Sequence, residues 1–87
     1  ATLLNEHFTL LAACIEAEGG TVDKFIGDSL MAFWGAPEAQ EDHAARALRA
    51  ALAIHHAIRA DNRRRVAAGQ APIHVRVGLH SGPVVVG

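Results

Sequence analysis

The sequence predicts an α+β domain, and three observations predict it. Apolar residues recur at helical spacing near the start, at Leu4, Phe8, Leu11 and Ile15. Two runs rich in β-branched, aromatic and other apolar residues then flank a Gly-Asp pair, one of the two-residue hairpin signals. A long alanine-rich helical pattern follows, and the chain closes on strict alternation. The expected order is helix, strand, strand, helix, strand and the start of a further strand. With 87 residues, the chain makes at most one small domain, taken as residues 1–87.

The first helix is expected over about residues 2–18. Its stripe buries Leu4, Phe8, Leu11 and Ile15, while Glu6, Thr9, Glu16 and Glu18 fall mostly elsewhere. Gly19-Gly20 closes it, because a glycine takes the left-handed conformation that ends helices. Cys14 lies beside the stripe and reads as a small buried hydrophobe.

The hairpin comes next. Thr21 to Ile26 form its first strand and Ser29 to Trp34 its second, with Gly27-Asp28 as the turn. Gly35, Ala36 and Pro37 stop the second strand. Strict alternation puts Lys24 on one face with Val22 and Ile26. A lysine on an apolar face is costly unless its amine reaches water, a partner or a ligand. Asp28 sits on a tight turn held by two apolar strands. A carboxylate so placed suits a hard cation, which wants charged oxygen at fixed distance. The same aspartate could instead bond its own backbone, as turn aspartates do.

After a loop at Pro37 to Gln40, Asp42 is placed to cap a second helix, which runs from His43 to Ala67 or Ala68. Ala44, Leu48, Ala51, Leu52, His55 and Ile58 are its expected buried stripe. Gly69 caps its end and Pro72 lies just beyond. Ile73, Val75, Val77 and Leu79 then alternate with His74, Arg76, Gly78 and His80 as a strand. His80-Ser81-Gly82-Pro83 is turn chemistry, and Val84 to Val86 begin a return strand.

Composition removes several classes of function. The formal net charge of -1 gives no electrostatic case for nucleic acid. Arg63-Arg64-Arg65 reads as a solvated helix end. A single cysteine excludes an internal disulfide and fits a reducing compartment. No apolar run is long enough to span a bilayer and no signal-peptide pattern is present. A soluble, cytoplasmic segment without membrane contact is expected, although its parent could be anchored by segments elsewhere. The chain starts inside an amphipathic pattern and stops inside a strand, as a piece of a larger domain would.

The run Asp23-Lys24-Phe25-Ile26-Gly27-Asp28-Ser29-Leu30-Met31-Ala32-Phe33-Trp34-Gly35 resembles the central hairpin of the class III nucleotidyl cyclases, the catalytic domains of adenylate and guanylate cyclases. A second segment, Val75 to Gly87, resembles the next hairpin of that family, in the right order and at a typical distance. Two separated motifs agree, and the helices between them fit. The resemblance implies a truncated ferredoxin-like domain, α-β-β-α-β-(β), with its first strand and C-terminal part missing.

It also implies a chemistry. The family makes a ribose 3′-hydroxyl attack the α-phosphate of its own nucleotide, with two divalent cations, Mg²⁺ or Mn²⁺, at each site. Asp28 matches the second of two metal-holding aspartates; the first would fall before Ala1. Lys24 matches the lysine that contacts the purine of ATP. An ammonium donates to adenine N1, whereas guanine carries N1–H and suits a carboxylate. Phe25, Ile26 and Gly27 flank the metal carboxylate and shape the strand and turn. Arg76 matches an arginine read as structural or interfacial. The family's remaining base-selecting, asparagine and arginine residues would follow Gly87.

Sites of this family form between two catalytic domains, one bringing the aspartates and the other the lysine. One chain that carries both Asp28 and Lys24 points to a homodimer. The expectation is an adenylate cyclase domain of which these 87 residues alone are inactive. The alternatives are a non-catalytic cyclase-like module that dimerises or binds nucleotide, and a guanylate cyclase.

Overall fold

In the computed structural model, residues 3–83 are described, with side chains from Glu6 onward. Helix α1 spans Leu3–Ala17, strands β1 and β2 span Thr21–Ile26 and Ser29–Phe33, and helix α2 spans His43–Ala67. Both helices lie close to their expected bounds. The expected return strand at Val84 to Val86, and the side chain of Leu4, lie outside the described residues.

Each helix ends on the glycine the sequence marks for it. At α1, Gly19 adopts φ 76°. Gly20 N–H donates to the Ile15 carbonyl and Gly19 N–H to that of Glu16, both at 3.0 Å. At α2, Gly69 adopts φ 77°. Gln70 N–H reaches the Arg65 carbonyl at 2.7 Å and Gly69 N–H that of Val66 at 3.0 Å. Both are the double-bonded Schellman ending, which satisfies carbonyls the helix leaves open. The start of α2 differs from expectation. Asp42 occupies the cap position but makes no side-chain cap bond. Its carboxylate instead accepts from Arg46 Nε at 2.8 Å, one helical turn on.

The core is a seam between the helices. Leu11 and Ile15 of α1 cluster with Ile54 and Ile58 of α2, and Ala50 and Ala51 of α2 are buried as well. The face of α2 is rotated by nearly one residue from the predicted stripe. Leu48 and Leu52 are about half exposed, at 53% and 52%, and His55 faces solvent. In an alanine-rich helix no one stripe is much more apolar than its neighbour. Packing then selects the face whose small residues, Ala50 and Ala51, allow close approach.

The hairpin lays one face on this seam. Its antiparallel register pairs Thr21 with Phe33, Val22 with Ala32, Lys24 with Met31, Phe25 with Leu30 and Ile26 with Ser29. The register shifts between Val22 and Lys24, so Asp23 is a bulge. Val22, Leu30, Ala32 and Trp34 pack against the core. One extra residue reverses the alternation beyond it. Lys24 therefore shares a face with Ile26 and Met31 and not, as strict alternation predicts, with Val22.

Beyond α2, residues 71–80 form no ladder among the described residues, where a strand is expected. Their side chains still alternate at first, with Ile73 and Val75 half buried and His74 and Arg76 exposed. Asn62 of α2 holds the entry. Its Nδ2 donates to the Ile73 carbonyl and its Oδ1 accepts from Ile73 N–H, both at 2.7 Å. The residues have strand character, but a strand is defined by a partner, and among the described residues β2 pairs only with β1.

Candidate active site at the hairpin turn

The turn that carries Asp28 is built as the sequence requires. Ile26 and Ser29 pair across it, leaving Gly27 and Asp28 as the two central residues. Gly27 has φ 60°, and among the described residues none other than glycine has positive φ. Positive φ at the first central position alone is the signature of a II′ turn, which matches strand twist and favours glycine there. A Cβ on Gly27 would meet nothing within 4 Å, so backbone conformation, not space, calls for glycine.

Asp28 is exposed at the tip. No hydrogen bond or ion pair engages its carboxylate among the described residues, so the self-bonded turn aspartate is not what forms. The side chain borders a groove of about 330 Å³, which runs between β2 and residues 74–79 over the helical seam. His7, Leu30, Val75 and Ile54 are among the residues that line it.

Lys24 lies on the opposite face of the hairpin. It is absent from the groove and half exposed, with its Nζ 3.7 Å from Asp23 Oδ2. That contact is long and open to water, where an ion pair contributes little. Around Lys24 the outer face carries Ile26 and Met31, 55% and 49% exposed. Phe25 points the other way, its ring 4.7 Å from that of Phe8 on α1. The two charged candidates thus belong to one hairpin and address different sides of it.

The far end of the hairpin is tied to both helices. Trp34 Nε1 donates to the Glu18 carbonyl at 3.1 Å, and Arg46 Nη1 donates to the same oxygen at 3.2 Å. Gln40 bridges, accepting from Gly35 N–H at 2.9 Å and donating to the Gly19 carbonyl at 3.2 Å. Arg49 pairs with the Glu18 carboxylate at 2.8 Å. Gly20 lets the indole approach. A Cβ there would stand 2.6 Å from the Trp34 ring and 2.7 Å from Ile15. Sequence reading gives Trp34 only as the last residue of the second strand and misses this clasp. A tryptophan shortly after a Gly-Gly helix end was the available signal. The roles of Gln40 and Arg46 in the clasp left none, because there they bond main-chain groups, whose positions only the fold sets.

The other candidates contribute little. Burial raises the Cys14 thiol above its ordinary value, so it is held as the inert thiol. No group of three or more His, Cys, Asp or Glu is placed to hold a metal among the described residues. Asp28 alone fits Mg²⁺, which uses one or two protein carboxylates together with substrate phosphates. No helix among the described residues is long and apolar enough to cross a membrane.

Comparison with known proteins agrees across the chain. The family model of the adenylate and guanylate cyclase catalytic domain matches residues 1–87. Adenylate cyclase 1 of Rhizobium meliloti (strain 1021) is 40% identical over 85 residues, which are 98% of this chain and 13% of that protein. The adenylate cyclase of Anabaena cylindrica is 32% identical over 88 residues, 97% of this chain and 16% of that protein. Human retinal guanylyl cyclase 1 is 35% identical over 86 residues, 98% of this chain and 8% of that protein. The crystal structure of the guanylyl cyclase Cya2 superposes with a TM-score of 0.70 at 36% identity, covering 79% of this chain and 35% of that one. The chain therefore spans a small part of the length of each relative.

Proposed function

Since the chain belongs to the adenylate and guanylate cyclase catalytic-domain family, we propose that its parent domain converts ATP to cyclic AMP and pyrophosphate. The ribose 3′-oxygen forms the new bond to the α-phosphorus and loses its proton. The bond from that phosphorus to the bridging oxygen breaks, and pyrophosphate leaves with the electron pair. Divalent cations, Mg²⁺ or Mn²⁺, two to a site, supply positive charge at the phosphate and at the attacking oxygen. Asp28 is the residue of this chain that would hold them. Its unengaged carboxylate and rigid turn fit that work. The residues present make half a site, so the 87-residue chain alone is inactive.

One observation carries the proposal: Asp28 borders the inner groove while Lys24 stands on the outer face of the same hairpin. A chain that sends its metal carboxylate and its base-reading amine to opposite sides fits a site shared between two copies. Each copy then gives Asp28 to one nucleotide and Lys24 to the other, in a homodimer with two equivalent sites.

The guanylyl cyclases among the relatives favour a second reading in which GTP is the substrate. Lys24 argues for ATP, because its ammonium donates to the N1 acceptor of adenine. Assay of the parent domain with Mn²⁺ and each nucleotide separates the two. Cyclic AMP as the main product supports the proposal. Cyclic GMP from GTP in excess overturns the base assignment, and binding of either nucleotide without turnover assigns a regulatory module.

A further inference from the structure

Asp23 is the one residue of β1 without a partner on β2, because the register passes from Val22 straight to Lys24. In a regular strand, neighbours in sequence point to opposite faces and their side chains stay apart. Asp23 and Lys24 nonetheless meet, with Asp23 Oδ2 3.7 Å from Lys24 Nζ. The bulge permits this. An extra residue breaks the alternation at that step and re-aims its side chain, as bulges do beside active sites.

The pair is isolated. Among the described residues, Lys24 has no other counter-charge and Asp23 no other cation. The outer face around them is apolar, with Ile26 and Met31 about half exposed. The Asp23 side chain is the better covered of the two, 24% exposed against 51% for Lys24. A short, partly covered carboxylate thus stands beside a long, open amine.

The distance decides what such a pair can do. At 3.7 Å the contact is longer than a hydrogen bond, so the ammonium keeps its three donors for a ligand. The carboxylate instead narrows the region that the amine samples. A free lysine side chain carries much rotamer freedom, and ordering it on binding is costly. A counter-charge beside it removes part of that freedom beforehand.

We infer that Asp23 is a positioning residue for base selection, holding the Lys24 amine from its bulge where it meets adenine. The inference rests on the base-reading role proposed for Lys24. The test is steady-state kinetics of the parent domain with ATP and with GTP, with melting temperatures measured alongside. Asp23→Asn keeps the size of the side chain and removes its charge. It should raise KM for ATP roughly threefold to tenfold, the cost of immobilising one long side chain. Turnover at saturation should change little, because the base lies away from the reacting phosphorus. The ATP-to-GTP ratio of kcat/KM should fall by the same factor. In a Lys24→Ala background the change should do nothing further, since the residue it acts through is gone. Asp23→Glu, which restores a carboxylate, should recover most of the loss.

An unaltered KM in Asp23→Asn overturns the inference. Equal losses with both nucleotides, a lowered melting temperature, or an undiminished effect beside Lys24→Ala would make Asp23 structural and overturn it as well. Lys24→Ala alone separates this from the reading it rests on. If that variant leaves the nucleotide ratio unchanged, the base assignment falls and the inference with it. If it lowers the ratio while Asp23→Asn does not, the inference alone falls.

Discussion

The two ends of the hairpin are built in opposite ways. At the Trp34 end, an indole and a glutamine bind the hairpin to the end of α1, and two arginines of α2 bind Glu18 there. At the Asp28 end, two residues close the turn and the carboxylate has no partner in the described structure. A hydrogen-bonded clasp fixes where the strands point, and the turn then extends an acidic group from a rigid support. Order at one end positions the chemistry proposed for the other. Substitutions at the two ends should separate stability from activity.

The largest effect is expected at the open end. Asp28→Asn in the parent domain should lower metal-dependent turnover roughly a hundredfold or more, since metal stabilisation of transition-state charge is worth several kcal/mol. Thermal unfolding should not move, because the carboxylate supports no contact here. A melting temperature that falls along with the activity would make Asp28 structural.

The clasped end should behave in reverse. Trp34→Ala removes a half-buried indole and its bond to Glu18, and should cost about 2 kcal/mol or more. Gly20→Ala drives a methyl into the Trp34 ring, at about 1–3 kcal/mol for such overpacking. Chemical denaturation of the parent domain measures both. Unchanged midpoints would show that the clasp does not hold the hairpin.

Lys24→Glu tests the outer face. The change replaces a donor to adenine N1 with an acceptor for guanine N1–H, and should shift the ATP-to-GTP rate ratio roughly tenfold toward GTP. Melting should stay constant, since the pair with Asp23 is long and exposed. An unaltered ratio removes Lys24 from base reading.

The smallest effect is acid sensitivity at the end of α2. Hydrogen bonding to Arg65, with the charge of Arg65 and Arg64 beside it, holds the Asp61 carboxyl below its ordinary value. A depressed folded-state value means that this stability is present above the ordinary carboxylate range and is lost as pH falls through the folded-state value. Asp61→Asn should lower stability slightly at neutral pH, where the pair is charged, and flatten the acid limb, so that variant and native protein converge as pH falls. An identical acid limb in the variant would show that the pair contributes nothing.

What the sequence made legible follows from how local each signal is. Both helices, their glycine ends and the Gly27-Asp28 turn depend on neighbours within a few residues, and all form as expected. The bulge at Asp23 carries no glycine and no break in the pattern, so nothing warned that Lys24 and Val22 part company. The face of α2 was hidden by its alanines, because its orientation is chosen by Leu11 and Ile15 on a distant helix. The segment after α2 reads as a strand correctly in its alternation, yet pairing needs a neighbour that local pattern cannot supply. Asp28 could be placed at the tip of the turn. That its carboxylate would stand clear of its own backbone, and away from Lys24, required the fold.

The account rests on Asp28 and Lys24 of one chain serving different sites, and subunit mixing tests this directly. Asp28→Asn and Lys24→Ala homodimers should each be nearly inactive. Mixed and allowed to exchange, half the dimers are mixed and each holds one intact site of two, so about a quarter of the native activity should return. No recovery, with exchange of subunits demonstrated, would contradict a site shared across two copies.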